Sequence, residues 1–567
     1  MKRTFRGRPV RAVSARAAFV WACLLAVPTI AHTQSLPAQQ EQRQRSQQQA
    51  RQREALRDAP DVRLPQGAAG DYSQTTLPTE KPCFVLSAIS LEGAHAAQFG
   101  FIRRYLEKYR GRCAGQQGLA LLAHRASDLL IARGFVTSRL VIPPQNLRQG
   151  ELRVVLIAGT LGRVRLAPGS SAVDWRSAIP LRPGDVINLR AIEQGLEQLK
   201  RVPSQDVKID IAPGQSAGTS DLVLTAVRSK PWRVTLNMDD AGSNATGKEQ
   251  GGVTLALDQP LGINDLLSVG VSNTVGGYRG EKGTRGNHMS YSLPRGNWTF
   301  SLDASKYGYR QPVTGSLQTF SFTGTSQSTS FSATRLLQRD ARGKTSIELD
   351  VGVRDARSYV DGVEIATQRR LTSSAELALV HRRYLGHAQL DARLAYRRGT
   401  PWFGAQWQGA LDGGPTHRYG LTTLDASLSL PFQLGSRALF WLSELHAQAT
   451  GDHLYVEDDL AIGNRYSVRG FDGNATLGGE HGAYWRNTLN LPLADGATSI
   501  YGGLDTGRVD GNTAPGLSSH RLSGAVFGCR GTRWGLSWDL FMGWALQTPR
   551  GFQTRRPTAG MQWIFTL

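Results

Sequence analysis

The feature that most constrains the fold is a strict alternation of large apolar residues with small or polar ones, which runs from Trp232 to Leu567. Its clearest stretch has a large apolar side chain at every second position: Trp534, Leu536, Trp538, Leu540, Met542, Trp544 and Leu546. Successive side chains of a β-strand point to opposite faces, so the pattern predicts strands with one face in lipid and one facing a lumen. A soluble β-sandwich also alternates, but a run this long with three tryptophans favours a membrane barrel.

The N-terminus has the pattern of a secretory signal. The apolar stretch Ala17 to Val27 follows six basic residues and precedes Pro28-Thr29-Ile30-Ala31. A basic front, an apolar middle and small residues near the cleavage site are typical of a signal peptide, so we assign residues 1–31 to one. Lipidation at Cys23 is an alternative that the surrounding residues support weakly. No apolar run reaches the roughly 18 to 20 residues that a membrane-spanning helix needs.

Two polar segments follow the signal peptide. Residues 34–58 contain glutamine, arginine and alanine but almost no large apolar residue, which fits a disordered leader or a polar helix able to occupy a water-filled lumen. Residues 59–82 contain four prolines among small and polar residues and are predicted to be a linker.

Residues 83–158 and 159–229 predict two small α+β domains in tandem. Each has apolar residues at helical spacing next to short alternating segments, and Asn188 is placed to cap the main helix of the second domain. The predicted strands that follow the helices are Val136 to Ile142, Leu152 to Ile157, Val207 to Ile211 and Leu222 to Val227.

The cysteines indicate one disulfide. Cys83 and Cys113 lie 30 residues apart in the first of these domains, and an oxidising compartment permits their pairing. On the chain-entropy estimate, closing such a loop stabilises the domain by roughly 3 to 4 kcal/mol. Two free buried thiols are the alternative, and Cys529 on a strand-like segment is interpreted as inert.

The charge does not indicate a nucleic-acid-binding protein. The formal net charge is +21, and removing the six positive charges of the signal peptide leaves +15. The arginines are spread over the strand-rich half and do not cluster with stacking aromatics. This distribution favours charges in a lumen and in loops over a nucleic-acid site.

One arginine stands out because of where it lies. Residues 463–487 read GNRYSVRGFDGNATLGGEHGAYWRN, which places Arg469 in a glycine-rich loop between two strand-like segments. An arginine inside a barrel needs an acidic partner, because an unpaired buried charge is costly. Asp505, within Gly503-Leu504-Asp505-Thr506-Gly507, is the candidate.

These two motifs resemble those of the outer-membrane transporters related to BamA and FhaC. Other fragments occur in an order that resembles two-partner secretion transporters of the ShlB, FhaC and HecB type, which carry POTRA domains. Those fragments are Gly134-Phe135-Val136-Thr137-Ser138-Arg139, Gln149-Gly150-Glu151-Leu152, Asn188-Leu189-Arg190 with Glu193-Gln194-Gly195, and Asp258-Gln259-Pro260-Leu261-Gly262-Ile263-Asn264-Asp265.

The resemblance implies a transmembrane antiparallel β-barrel over residues 230–567, preceded by two POTRA domains at 83–158 and 159–229. Sixteen strands fit the family, although periodicity alone allows a neighbouring even number. Loop 452–482 would turn into the barrel, and residues 34–58 would form a helix that plugs the lumen at rest and leaves during transport.

By the same resemblance, Arg469 docks on Asp505, a contact that we call the loop lock. The surrounding motif residues are Val468, Gly470, Phe471, Gly503 and Gly507. The alternative is an arginine on an exposed loop with no special role.

The function implied by the resemblance is that of an outer-membrane transporter whose POTRA domains lie in the periplasm. It would bind a partner exoprotein of haemolysin or adhesin type and pass it unfolded to the cell surface without nucleotide. Outer-membrane lipid and the machinery that inserts barrels would be its other partners, with no nucleic acid. Relatives usually end in phenylalanine, whereas this chain ends in Leu567, which makes the insertion signal less typical.

Catalytic motifs are absent from the sequence, so we expect neither an enzyme nor a bound cofactor or metal. HExxH does not occur, and no local motif brings Ser, His and Asp together. Three rival interpretations are a BamA-like assembly factor, a passive porin and a soluble sugar-binding β protein. The first predicts more POTRA domains than two, the second needs neither POTRA domains nor VRGF, and the third leaves the Trp534 to Leu546 stripe unexplained.

Overall fold

A computed structural model describes residues 61–64, 72–276, 278, 280–407, 414–511 and 519–567. The predicted signal peptide, 1–31, and the predicted plug helix, 34–58, lie outside the described residues, as do residues 59–60 and 65–71 of the predicted linker. Among the helices of the described part, none has the length and apolar character needed to cross a membrane.

The first domain packs two helices against a three-stranded sheet. Its elements are β1 (Phe84–Val85), β2 (Ala88–Glu92), α1 (Gly100–Leu106), β3 (Cys113–Ala114), α2 (Gln116–Ala132), β4 (Arg139–Val141) and β5 (Glu151–Ile157), with 3₁₀ turns at Ala96–Phe99 and Glu107–Tyr109. The sheet order is β2-β5-β4, with β2 parallel and β4 antiparallel to β5. A disulfide joins Cys83, just before β1, to Cys113, the first residue of β3.

The strand predicted from Val136 to Ile142 is wrong in extent, since β4 covers only Arg139–Val141. A tertiary contact of Phe135 shortens the strand. Phe135 turns into the core against Phe99, with ring centroids 4.7 Å apart, and the following residues form a turn closed by a bond from Ser138 N to Phe135 O.

Part of the predicted linker packs on the first domain. Tyr72 and Leu77 contact its apolar core. The Glu80 carboxylate accepts hydrogen bonds from the backbone N–H groups of Gly115, Gln117 and Gly118, at 2.7 to 2.9 Å, where α2 begins. Because the first N–H groups of a helix have no partner within the helix, a carboxylate there completes their hydrogen bonding.

The second domain repeats the α+β arrangement. Its elements are β6 (Thr160–Leu166), α3 (Trp175–Ala178), α4 (Leu189–Lys200), β7 (Gln205–Pro213) and β8 (Thr219–Arg228), with sheet order β6-β8-β7. Asn188 caps α4 by accepting from Arg190 N at 2.8 Å, and it also donates to Arg133 O of the first domain at 3.1 Å. The helix cap therefore also joins the two domains.

Sixteen strands close into an antiparallel barrel, as the family resemblance predicts. They are β9 (Trp232–Asp239), β10 (Gln250–Asp258), β11 (Leu266–Thr274), β12 (Gly283–Arg295), β13 (Trp298–Thr314), β14 (Thr319–Asp340), β15 (Gly343–Val360), β17 (Arg370–Leu385), β18 (Ala388–Thr400), β19 (Gly420–Leu434), β20 (Arg437–Thr450), β23 (His481–Pro492), β24 (Thr498–Asp510), β25 (Arg521–Arg533), β26 (Leu536–Gln547) and β27 (Thr558–Thr566). The barrel closes where β27 pairs with β9, from Gln562 opposite Asp239 to Thr566 opposite Thr235.

Three short strands and three 3₁₀ turns complete the second half. The strand β16 (Val363–Glu364) extends the hairpin after β15, whereas β21 (Leu460–Ile462) and β22 (Leu477–Gly479) pair only with each other. The 3₁₀ turns are Ala366–Gln368, Trp402–Gly404 and Val456–Asp458.

The two faces of β26 follow the alternation in the sequence. Met542, Trp544 and Leu546 are exposed on the outer face, while Gly543 and Ala545 between them are buried toward the lumen. One member of the predicted stripe lies elsewhere, because Trp534 belongs to the two-residue turn between β25 and β26. It has φ 52°, the left-handed conformation that such hairpin turns require.

Candidate functional site

The candidate functional site is the loop of residues 452–482, which folds back into the barrel. Its hairpin β21–β22 pairs Leu460 with Gly479 and Ile462 with Leu477. Apolar side chains of the loop and of the inner wall share one buried cluster: Leu460, Ile462, Val468, Phe471, Leu477, Tyr484, Val509, Leu522 and Ala545. The loop is therefore held against the wall by burial of apolar surface as well as by charge.

The loop lock joins the tip of this loop to β24. Arg469 Nε donates to Asp505 Oδ2 and its Nη2 donates to Oδ1, both at 2.7 Å, and Arg469 N also donates to Oδ2 at 2.9 Å. Nη2 makes a further bond to Thr488 Oγ1 at 2.9 Å. The two side chains are 9% and 1% exposed, so a bidentate ion pair is shielded from solvent.

Two glycines of β24 leave room for the loop lock. A Cβ at Gly503 would lie 2.6 Å from Arg469 Nη2, and a Cβ at Gly507 would lie 2.9 Å from Val468 Cγ2. Real Cβ atoms do not approach other atoms this closely, so a side chain at either position would displace the loop. This explains why Asp505 is flanked by glycines two residues away on each side.

Three more glycines lie where the loop touches the wall, and two of them were not identified from the sequence. Gly470 has φ 100°, and a Cβ there would lie 2.5 Å from Trp544 O. A Cβ at Gly524 would meet Arg469 O at 1.9 Å, and one at Gly543 would meet Gly470 Cα at 2.7 Å. The sequence signal for Gly524 and Gly543 is a glycine at a position of β25 or β26 whose side chain would point into the lumen.

A second arginine of the loop reaches the seam of the barrel, and the sequence did not reveal it. Arg465 bonds Asp240, just after β9, and its guanidinium lies 5.3 Å from the ring centroid of Phe541. Asp240 also accepts from Met561 N of β27 at 2.9 Å. The inward loop is thus attached at two places, the Asp505 wall and the β27–β9 seam.

A second set of buried charges, which we call the junction cluster, joins the second domain to the barrel. It consists of Arg190, Glu193 and Glu197 of α4 with Arg339 and Lys344 from the β14–β15 hairpin. Arg339 pairs with Glu193 at 3.3 Å and with Glu197 at 2.8 Å, Lys344 pairs with Glu197 at 2.6 Å, and Arg190 pairs with Glu193 at 2.6 Å. Arg339 is 5% exposed and Glu193 is not exposed at all.

One sequence fragment of the family resemblance, residues 258–265, contacts the second domain near this cluster. Asn264, between β10 and β11, donates to Asp174 O at 2.6 Å and to Ser177 Oγ at 2.8 Å, and both partners belong to the second domain. Arg201, just after α4, donates to Asn264 O at 3.2 Å. Burial lowers the pKa of the Arg201 guanidinium to about 10, against the opposing effect of the Asp265 charge, so Arg201 remains charged at neutral pH.

Residues 61–64 run through the junction cluster. Val62 O accepts a hydrogen bond from Arg339, and Leu64 N donates to Glu193 Oε1 at 2.9 Å. Both side chains pack on the core of the second domain. The same charges therefore hold the second domain, the barrel and the chain that leads back toward residues 34–58.

The structure brings together all the residues predicted for the lock: Arg469, Asp505, Val468, Gly470, Phe471, Gly503 and Gly507. Phe471 packs edge-on against Phe552 with ring centroids 5.9 Å apart. Within the part of the chain that the structure describes, no group of three or more His, Cys, Asp or Glu residues is arranged to hold a metal ion.

Family models match three consecutive parts of the chain. Residues 84–159 match the POTRA domain of ShlB type, residues 160–213 match a POTRA domain, and residues 218–531 match the haemolysin secretion/activation protein ShlB/FhaC/HecB. The matched ranges follow the two domains and the barrel in the order predicted.

Individual relatives are similar over nearly the whole chain. The outer membrane transporter CdiB-2 of Burkholderia pseudomallei (strain 1026b) is 39% identical over 545 residues, which cover 93% of each chain. The solved structure of CdiB from Acinetobacter baumannii is 28% identical with a TM-score of 0.83, over 94% of this chain and 99% of that one. CdiB from Escherichia coli is 27% identical with a TM-score of 0.82 over the same shares. Together with the barrel, its inward loop and the paired POTRA domains, these likenesses show that the chain belongs to the ShlB/FhaC/HecB family of haemolysin secretion/activation proteins.

Proposed function

We propose that this chain is the transporter of a two-partner secretion system. It lies in the outer membrane with its POTRA domains in the periplasm, binds a partner exoprotein there and passes it unfolded through the barrel to the cell surface. The observation that carries the proposal is a closed sixteen-stranded barrel with a locked inward loop and two POTRA domains docked at its entrance. Relatives described as outer membrane transporters support it, whereas a BamA-like assembly factor is less supported.

The POTRA domains supply the periplasmic binding surface in this proposal. The sheets have the orders β2-β5-β4 and β6-β8-β7, so β2 and β4 are the edges of the first sheet, and β6 and β7 those of the second. A sheet edge can add an incoming extended chain as a further strand through main-chain hydrogen bonds, with little demand on its sequence. Such binding suits an unfolded client.

In this proposal the loop lock keeps the inward loop, residues 452–482, at a fixed position in the lumen. A guanidinium paired to a carboxylate through two bonds holds a loop in one orientation. Removing either partner leaves the other charge buried without its counter-ion, a change that typically costs about 3 to 5 kcal/mol. We expect the loop to lose its defined position when the pair is broken, while the barrel strands remain paired.

We further propose that the chain acts without nucleotide or enzymatic activity and that folding of the client outside the cell drives its passage. A client of haemolysin or adhesin type follows from the family. The barrel assembly machinery would insert the barrel, with β27 as the closing strand that it reads.

The experiment is to co-express the chain with its partner exoprotein and to compare Arg469→Ala and Asp505→Ala with the wild type. Both variants should cut surface delivery strongly at equal amounts of inserted, heat-modifiable barrel. Arg508→Ala is the matched control, because Arg508 pairs with Asp510 on the same strand at 3.1 Å but is 72% exposed. Exposed pairs contribute little, so the control should secrete normally. Normal secretion by both lock variants would remove the lock from the account.

Deleting residues 83–158 tests the periplasmic surface. Client binding should fall while the barrel still inserts. Undiminished binding would mean that the first POTRA domain only spaces the barrel from the periplasm.

A further inference from the structure

The outer face of strands β12 to β15 changes character toward the extracellular end. Met289, Leu302, Phe331 and Leu349 are exposed apolar residues on this face, one on each strand. On β12 and β13 the same face continues away from the POTRA domains with Arg285, Lys306 and Arg310. The cations therefore lie just beyond the band that faces lipid tails.

The register of the strands brings these three cations together. Arg285 on β12 lies opposite Gly308 on β13, and Lys306 and Arg310 stand two residues before and after that glycine on the same face. Directly opposed residues of an antiparallel pair are about 4.5 to 5.5 Å apart. Since Gly308 has no side chain, the three cations surround a gap on the outer surface. Arg285 lies beside it, with its Nε 3.6 Å from where a Cβ at 308 would stand.

An aromatic ring supports two of the cations. The guanidinium groups of Arg285 and Arg310 lie 4.6 and 5.4 Å from the ring centroid of Tyr278. Both distances fall within the range of a cation–π contact, which holds the side chains without neutralising their charge.

These three cations have no acidic partner among the residues that the structure describes. Other outward arginines do: Arg357 pairs with Asp355 at 2.8 Å and Arg508 with Asp510 at 3.1 Å. Arg310 Nε is also buried without a hydrogen-bond partner. Three like charges around one gap repel each other unless an anion lies between them.

The height of the three cations relative to the membrane indicates which kind of anion they meet. Gly308, at the centre of the three cations, stands ten residues beyond Trp298 on β13, about 34 Å along the strand at roughly 3.4 Å per residue. At a strand tilt of about 40°, this corresponds to a height of about 26 Å, just above the roughly 25 Å of the apolar band. Lipid headgroups of the outer leaflet lie at this level and above.

We propose that Arg285, Lys306 and Arg310 form a binding site for a phosphate group on the headgroup of an outer-leaflet lipid, such as the phosphorylated glucosamine of lipopolysaccharide. A phosphate offers several charged acceptor oxygens, which match the fork of an arginine and the point charge of a lysine. The site lies outside the lumen, so it is independent of the proposed secretory path.

The test measures lipid binding by the full-length chain. Wild type and the triple variant Arg285→Gln, Lys306→Gln, Arg310→Gln are titrated in detergent with bis-phosphorylated lipid A, and bound lipid is counted by native mass spectrometry. Binding should weaken by about a hundredfold in the triple variant, at roughly fivefold for each cation near an anionic surface. Lipid A without phosphates should bind the wild type as weakly as the phosphorylated lipid binds the triple variant.

The control is Arg398→Gln, which removes an exposed cation from β18, where Ala375 and Gly420 are the opposed residues. It should leave binding unchanged. Should the triple variant fail to insert, Lys306→Gln alone should still weaken binding, by roughly fivefold. Equal binding by wild type and variants, an equal loss in Arg398→Gln, or full competition by inorganic phosphate at the lipid's concentration would each overturn the proposal.

Discussion

The loop lock and the junction cluster both bury charge at the barrel, but they distribute it differently. In the lock one arginine meets one carboxylate, and Arg469 donates three hydrogen bonds to Asp505. In the junction cluster Glu193 serves Arg190, Arg339 and the N–H of Leu64, and Glu197 serves Arg339 and Lys344. The lock fixes one loop on one wall, whereas the cluster connects three parts of the chain.

This difference predicts how much stability each site loses when one of its charged residues is substituted. Removing one partner of a buried pair leaves an uncompensated charge, and the loss grows with the number of groups that shared the missing side chain. A change at Asp505 leaves Arg469 with neutral partners, Thr488 Oγ1 and Asn487 O. A change at Glu193 deprives two arginines and a backbone N–H at once.

Among the changes to the POTRA domains, the largest effect is therefore expected from Glu193→Ala. The substitution should weaken docking of the second POTRA domain on the barrel by about 3 to 5 kcal/mol. Hydrogen exchange of α4 in the full-length protein measures this, since α4 should become far less protected while β23 and β24 keep their protection. Glu193→Gln, which keeps an acceptor for Leu64 N, should lose less. Unchanged exchange of α4 in the alanine variant would show that the cluster does not hold the joint.

A smaller effect is expected when the N-cap of α4 is removed and its ion pairs are left in place. Asn188→Ala removes the bond from Arg190 N and the bond to Arg133 O, and loss of an N-cap typically costs about 1 kcal/mol. The first turn of α4 should exchange faster, and thermal unfolding of the POTRA region should begin earlier, with the junction charges intact. A loss as large as that of Glu193→Ala would mean that the cap, and not the ion pairs, dominates this helix.

The smallest effect concerns a partly exposed carboxylate, which contrasts with both buried sites. Hydrogen bonds from Gln117 N, Gly118 N and Gly115 N hold the pKa of Glu80 below its ordinary value of 4.5, against an opposing desolvation effect. A lowered pKa in the folded state stabilises the first domain at pH values above 4.5, and this contribution is lost as the pH falls through the lowered value.

Glu80→Gln should therefore speed exchange of the Gly115, Gln117 and Gly118 amides at neutral pH. The difference from wild type, corrected for intrinsic rates, should shrink as the medium is acidified below pH 4.5. A difference that stays the same at every pH would rule out the carboxylate charge as its cause.

Patterns that are local in the sequence predicted most of the fold. The alternation that includes Trp544 led to the barrel, and VRGF with Asp505 led to the lock, with the family resemblance supplying the strand number and the partners. Local patterns failed where tertiary contacts decide, as at Phe135, whose packing shortens β4, and at Trp534, which enters a turn.

The long-range charge pairs had no local signal. Arg465 and Asp240 are 225 residues apart, and Arg339 and Glu193 are 146 apart. Only the folded barrel brings such residues together, because closure of the sheet and docking of the POTRA domain determine which loops meet. The need for Gly524 and Gly543 to lack a side chain also had no local signal, because a side chain there is excluded by the tip of the inward loop, which packs against them in the folded barrel.

The central claim is that the charge pair of Arg469 and Asp505 holds the inward loop in the lumen. A double-mutant cycle of Arg469→Ala, Asp505→Ala and the double variant tests it most directly, with hydrogen exchange of residues 452–482 reporting the free energy of local opening. Each single change should lower that free energy by about 3 to 5 kcal/mol, and the double variant should lose no more than a single one, because no charge is left stranded. Small losses in both single variants that simply add in the double variant would contradict the account.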